Sequence, residues 1–154
     1  MKFGMFGKIA ATALCAAGVT ASVLAQPAAA PTDARQLVTM PALAQTILRE
    51  EMLDNLGALH EVIALLAQDK LAAAADVAEQ RIGHASMGKH AARARGQGPG
   101  RFMPEAMHAI GLAMHDAASE FAVIAKSGDK AKALSALQTV TGACVACHAA
   151  YRTR

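Results

Sequence analysis

Apolar residues recur at gaps of three and four along much of the chain, which is the period of a helix that buries one face. The first such segment is predicted from about Pro41 to Gln68. Its apolar positions are Met52, Leu56, Leu59, Ile63 and Leu66. A second segment is predicted to start near Asp69, a good N-cap residue, and to continue through four consecutive alanines towards Ala92. No segment alternates apolar and polar residues as a strand would.

A clear break at residues 95–100, Arg-Gly-Gln-Gly-Pro-Gly, separates these two segments from two more, and its composition is typical of a flexible loop. A third helix is predicted over about 104–126, and a fourth starts near Asp129. One stripe of the fourth helix carries Leu134, Leu137, Thr141, Cys144, His148 and Tyr151. Four amphipathic helices joined by three connections predict an all-α fold, an antiparallel four-helix bundle forming one domain over residues 41–154.

The N-terminal region is predicted to lie outside that domain. Residues 1–25 have the features of a cleaved secretory signal peptide: Lys2 and Lys8, then an alanine-rich apolar run, then Val23-Leu24-Ala25 at the cleavage site. The run is too short and too rich in alanine for a transmembrane anchor. Residues 26–40 include three consecutive alanines and two prolines, and we expect a flexible lead-in.

Removal of the signal peptide changes both charge and cysteine content. The full chain has 15 Lys and Arg against 12 Asp and Glu, and losing Lys2 and Lys8 leaves 13 against 12, so the formal charge falls from +3 to +1. The remaining charges form no basic stripe, which argues against a nucleic-acid partner. Only Cys144 and Cys147 remain after cleavage, too few for a disulfide framework.

The strongest chemical signal is Cys144-Val145-Ala146-Cys147-His148, the C-x-x-C-H pattern of c-type haem attachment. Two thiols at this spacing share one helical face, where each can add to a haem vinyl group. The adjacent His148 can then provide an axial nitrogen ligand to the iron. The motif predicts one covalent haem c, and because such haem is attached outside the cytoplasm, the predicted location is the bacterial periplasm.

Other interpretations of the cysteine pair are weaker. A thioredoxin-like dithiol requires a βαβ pattern, and a structural zinc site requires four ligands. A disulfide across this spacing on a helix has poor geometry. A haem-free metal-binding or thiol-redox bundle therefore remains a weaker alternative to the haem interpretation. The sequence shows no acid–base pair and no activated nucleophile, so it gives no indication of an enzyme.

With its motif on the last helix, close to the C-terminus, the chain resembles the cytochrome c′ family over roughly residues 40–154. The ending Tyr151-Arg152 after the histidine is similar to that of the family. The resemblance implies a four-helix bundle, with Arg152 near the proximal face of the haem or a propionate. A solvated arginine favoured by the helix dipole is the alternative.

The resemblance also implies that the first helix covers the distal face of the haem. An ungapped comparison of Leu48-Arg49-Glu50-Glu51-Met52-Leu53 places Leu53 over the iron, with Met52 about 100° of helix rotation away. In this family, methionine at that place accompanies six-coordinate electron carriers, whereas an apolar residue leaves a five-coordinate iron that binds NO or CO. Arg49 is a candidate partner for a haem propionate. The alternative is that it forms a surface ion pair with Glu50 or Asp54.

Both functions of such a haem stay open at this point: electron transfer to a periplasmic redox partner, with Met52 as sixth ligand, or binding of a small gas beneath Leu53. The resemblance also suggests a homodimer. His60 is a second-choice axial ligand. A copper site built from Met107, His108, Met114 and His115 is disfavoured because the sequence shows no compact cluster.

Overall fold

The computed structural model describes residues 32–154, so the predicted signal peptide and the first part of the lead-in lie outside the described residues. Within these residues there are five α-helices: α1 (Ala42–Ala67), α2 (Leu71–Arg81), α3 (Ala91–Ala94), α4 (Glu105–Lys126) and α5 (Lys130–Ala150). Two 3-10 turns occupy His84–Ser86 and Pro99–Phe102, and two short strands are β1 (Gln36–Leu37) and β2 (Tyr151–Arg152). Because α3 is a single turn, the predicted all-α four-helix bundle is confirmed, with α1, α2, α4 and α5 as its helices.

Three of the helix starts follow from residues that fix the backbone before the first turn. Pro41 and Pro104 precede α1 and α4 with φ angles of −57° and −54°, and a proline costs no hydrogen bond at this point because the first N–H groups of a helix have no partner within it. Asp129 caps α5, since its Oδ1 accepts a hydrogen bond from the backbone N–H of Lys132 at 3.0 Å. These starts were predictable from the sequence.

The second helix differs from its prediction at both ends. Asp69 does not cap it: this residue lies in the connecting turn with a φ of 57°, and its carboxylate binds the Lys130 ammonium at 2.6 Å. The helix also ends at Arg81 instead of continuing to Ala92. The chain leaves the helix at Gly83, where a Cβ atom would lie 2.8 Å from the Ser119 hydroxyl of α4.

The bundle core is rich in alanine, which lets the helices approach closely. Neighbouring helices in the chain order α1, α2, α4 and α5 pack side by side. The largest side chains that are almost fully buried are Phe121, Ile47, Ile82, Val62 and Val140. Within residues 32–154, α1 and α5 do not pack closely against each other. Both helices nevertheless contribute buried residues to the same core, Val62 and Leu66 from α1 and Leu137 and Val140 from α5.

A second, smaller cluster closes the end of the bundle where α1 and α4 begin and α5 ends; we call it the methionine cluster. Its buried members are Val38, Leu48 and Met107. Met40, Met52, Met103, Cys147 and Tyr151 pack against them and are partly buried. This cluster brings residues of α1, α4 and α5 together beside the haem motif.

Part of the lead-in forms an N-terminal strap, residues 33–38, over the end of α5. Strands β1 and β2 pair in parallel, and the N–H of Val38 donates to the Arg152 carbonyl oxygen at 2.8 Å. Strands of two residues are too short to show alternation in a sequence, so they were not predicted. By length and composition alone α5 would also suit a membrane crossing, a criterion that core helices of other proteins meet as well.

Candidate haem site

Helix α5 places the two predicted attachment residues at the junction of the main core and the methionine cluster. Cys144 packs against the main core, whereas Cys147 packs against the methionine cluster. Both are free thiols and both are half-buried. They are consequently available for covalent attachment at one edge of an apolar region.

The protonation of these thiols discriminates between the interpretations of the motif. Burial raises the pKa of Cys144, and burial together with the nearby Cys144 raises the pKa of Cys147. A redox-active dithiol is typical of the opposite shift, because the thiolate is the reactive form. No group of three or more His, Cys, Asp or Glu side chains in residues 32–154 is placed to hold a metal ion. Both observations weigh against the haem-free alternative.

His148 follows the second cysteine on the exposed side of α5. Its backbone carbonyl oxygen accepts a long hydrogen bond, 3.5 Å, from the guanidinium Nη1 of Arg35 in the N-terminal strap. Arg35 also forms an ion pair with Asp33 at 2.7 Å, and its hydrogen bond lowers the pKa of that carboxyl to about 2. The strap thus lies directly against the backbone of the predicted axial ligand.

Arg152 is held by the same strap. Its Nε atom donates to the Arg35 carbonyl oxygen at 3.3 Å and lies 3.6 Å from a carboxylate oxygen of Asp33. The Arg152 side chain therefore contacts the strap and is not the freely solvated arginine that is the alternative to a place beside the haem. The structure places it beside the C-terminal end of the haem motif, where it orders the strap.

On α1, the two candidate distal residues occupy different environments. Met52 is partly buried and packs against the methionine cluster that also contacts Cys147. Leu53 is 70% exposed. The structure therefore brings Met52, and not Leu53, towards the cysteine pair. An ungapped comparison cannot reveal this, since neighbouring helix positions point about 100° apart.

Arg49 is exposed and makes no ion pair in the described part of the chain. The two acidic neighbours considered for it have other partners: Glu50 pairs with Arg93 at 2.6 Å, and Asp54 pairs with Arg81 and Lys89. Its guanidinium is consequently available to a carboxylate outside the protein chain.

A cavity of about 590 Å³ borders the methionine cluster. It is bounded by α1, by residues 86–103 and by α4, and no residue of α5 lines it. Leu48, Met52 and Met103 belong to both its wall and the methionine cluster. Asn55 and Glu51 also line it, and neither stands out in the sequence because both sit within a long amphipathic helix.

The residues present fit a covalently held haem. Two free thiols share one face of α5, an imidazole follows them, and Met52 on α1 packs against the same apolar cluster as Cys147. A flat apolar group bound beside this cluster would bury apolar surface, which is favourable.

Residues 103–152 match the family model of cytochrome c′. The match covers α4, α5 and the whole C-x-x-C-H motif, so it confirms the family resemblance predicted from that motif. No curated protein matches the chain, and no solved structure does.

Proposed function

We propose that this relative of the cytochrome c′ family is a periplasmic c-type cytochrome that carries electrons on a single haem. The family match supports a c-type haem protein as such. In the proposal, Cys144 and Cys147 hold the haem covalently, and His148 and Met52 are its axial ligands. The haem supplies one-electron chemistry, while the protein sets its potential through the ligands and their burial.

The observation that carries the proposal is the position of Met52. Its thioether packs against the same cluster as Cys147, and the competing residue Leu53 points into solvent. Sulfur ligation would fill the sixth position of the iron and favour a low-spin haem that exchanges electrons without binding added ligands. The alternative function is binding of NO or CO at an open sixth position of the iron, beneath an apolar residue. The experiment below distinguishes the two functions.

Absorption spectra of the purified protein, oxidised and dithionite-reduced, with and without CO, test the assignment. We expect a low-spin spectrum indifferent to CO, and we expect Met52→Leu to become high-spin and to bind CO. Leu53→Ala is the matched control and should leave the spectrum unchanged. A high-spin, CO-binding native protein would favour the gas-binding function, and the absence of haem bands would favour the metal or thiol bundle.

We also propose that the exposed face of α1 binds a second copy of the chain. Leu53, Leu56 and Ile63 are 70%, 65% and 55% exposed, and their spacing places them on one side of α1. A lysine in the middle of this stripe, Leu56→Lys, should lower the mass measured by light scattering after gel filtration. Val123→Lys, at a 73% exposed position on α4, is the control that should leave the mass unchanged.

A further inference from the structure

The N-terminal strap contacts the end of α5 that carries His148, the proposed axial ligand. The last hydrogen bond within this helix runs from the Tyr151 N–H to the Cys147 carbonyl oxygen. The carbonyl of His148 is therefore the first one that no N–H of the same helix reaches, and such groups are satisfied by side chains or by water. The guanidinium of Arg35 reaches this carbonyl oxygen through Nη1, at 3.5 Å.

Three hydrogen bonds to one carboxylate fix the orientation of Arg35. Its Nε and Nη2 atoms donate to Asp33 Oδ1 and Oδ2 at 3.0 Å and 2.7 Å, and its backbone N–H donates to Oδ1 at 3.1 Å. Two parallel side-chain hydrogen bonds of this kind fix the plane of a guanidinium. They leave the other Nη atom free, and that atom is the one that reaches the His148 carbonyl oxygen.

The backbone of the strap is tied to the same end of α5. The Val38 N–H donates to the Arg152 carbonyl oxygen at 2.8 Å, and the Arg152 Nε donates to the Arg35 carbonyl oxygen at 3.3 Å. Val38 is buried in the methionine cluster, so the strap also has an apolar anchor. These contacts hold the backbone of Arg35 beside the end of the helix, while Asp33 holds its side chain.

The charge of the guanidinium suits this position. The C-terminal end of a helix carries a partial negative charge, so a cation there stabilises the last turn. His148 lies in that turn, because α5 ends at Ala150. Helix ends open locally more readily than helix interiors do. Opening of this turn would displace the backbone that holds the axial imidazole.

We propose, on the basis of the haem function proposed above, that Arg35 is a positioning residue for the axial ligand. It caps the last turn of α5 from outside the helix, and Asp33 orients its guanidinium. Neither side chain needs to touch the haem. His148 is the axial ligand in an electron carrier and in a gas-binding protein alike, so the role of Arg35 is the same for both functions.

The first test is amide hydrogen exchange of the haem-loaded protein, followed by mass spectrometry on the peptide that carries the haem motif. Arg35→Gln and Asp33→Asn should each speed exchange at the end of α5 by ~3-fold or more, because each removes the oriented donor. Arg93→Gln is the matched control and should exchange there as the native protein does. Arg93 pairs with Glu50 at side-chain exposures of 46% and 42%, close to the 43% and 40% of the strap pair, but these two residues belong to α3 and α1.

A spectroscopic measurement separates positioning of the ligand from a general loss of stability. The electron paramagnetic resonance spectrum of ferric haem depends on the orientation of the axial imidazole, so Arg35→Gln and Asp33→Asn should both add a second haem species to the native spectrum. These variants change the net charge in opposite directions, so a purely electrostatic influence on the iron would not affect them alike. Arg35→Lys keeps the charge but lacks the planar fork, and it should resemble Arg35→Gln.

Unchanged exchange at the end of α5 in Arg35→Gln would overturn the proposal, and so would equal acceleration in Arg93→Gln. Faster exchange with an unaltered haem spectrum would overturn it as well, because the strap would then stabilise the helix end without positioning the ligand. Native behaviour of Arg35→Lys would overturn the role of Asp33, since charge alone would suffice. Failure of the haem function itself is distinguishable: the native protein would lack haem bands before any variant is compared, and the positioning role would be overturned with it.

Discussion

The side-chain amide of Gln45 donates a hydrogen bond to the backbone carbonyl oxygen of Thr153 at 2.6 Å. This contact joins the first turn of α1 to the C-terminal end of the chain, just past the haem motif. Thr153 lies just beyond the end of α5, so the hydrogen bond ties the start of α1 to the segment that follows the haem motif. The N-terminal strap, through the hydrogen bond from the Val38 N–H to the Arg152 carbonyl oxygen, ties down the same end of the chain.

Replacement of this amide should weaken the junction. Gln45→Ala removes a partly buried hydrogen bond, and we expect a loss of about 1 kcal/mol in the free energy of unfolding measured with urea. Gln68→Ala is the control, since the exposed Gln68 side chain has only local partners: it donates to the Ala64 carbonyl oxygen and accepts from the Lys70 ammonium. An equal loss in both variants would contradict a special role for the junction.

Stability should depend on pH through Asp54. Hydrogen bonds from Lys89 and, next, from Arg81 lower the pKa of this carboxyl in the folded protein. A lowered pKa means that the carboxylate stabilises the fold above its unfolded pKa of about 3.9 and loses this contribution as the pH falls through its folded pKa. Asp54→Asn should therefore be less stable than the native protein at pH 7, with the difference shrinking below about pH 5.

Urea unfolding at several pH values measures that difference. Asp76→Asn is the control: this carboxylate forms a single pair with Lys126 and its side chain is 67% exposed. Exposed pairs contribute little, so its difference from the native protein should be small at every pH. A constant gap between Asp54→Asn and the native protein would show that the carboxylate acts without titrating in this range.

The sequence predicts the parts of this fold that local signals control. Pro41, Pro104 and Asp129 mark helix starts because they act on the backbone next to them, and the cysteine spacing carries the attachment chemistry within five residues. The family match over residues 103–152 covers Pro104, Asp129 and the cysteine motif, but not Pro41.

The parts that the sequence does not predict depend on tertiary contacts. Helix propensity favours continuing α2 through Ala92, but Gly83 sits against Ser119 of α4 and the chain turns there. Asp69 has the identity of a cap yet pairs with Lys130 across the bundle. The exposure of Leu53 follows from how α1 is rotated in the bundle, which one helix taken alone cannot show.

Asn55 should be replaceable by a residue of similar size without loss of stability. Its side chain is only 8% exposed, and the sole hydrogen-bond partner of its amide nitrogen in the described residues is the Met114 sulfur, a weak acceptor. Asn55→Leu removes a poorly satisfied polar group, so the free energy of unfolding should change by less than about 1 kcal/mol or increase.

The matched variant Asn55→Asp should destabilise the protein by ~3 kcal/mol or more, because it buries a charge without a cation. Thermal unfolding followed by circular dichroism measures both variants. A large loss in Asn55→Leu would mean that the amide has a partner worth more than the sulfur, such as a molecule bound in the cavity.

Two glycines should respond to alanine in opposite directions. At Gly83 an added Cβ would lie 2.5 Å from the Glu79 carboxylate and 3.0 Å from the Glu79 Cα, and backbone cannot move aside easily. Gly83→Ala should therefore destabilise the fold by about 2 kcal/mol. Gly142, within α5, has nothing within 4 Å of an added Cβ, so Gly142→Ala should stabilise the protein by about 1 kcal/mol through helix propensity. Urea unfolding of both variants measures the two effects, and a destabilising Gly142→Ala would indicate that this face of α5 is covered by the haem or by a partner.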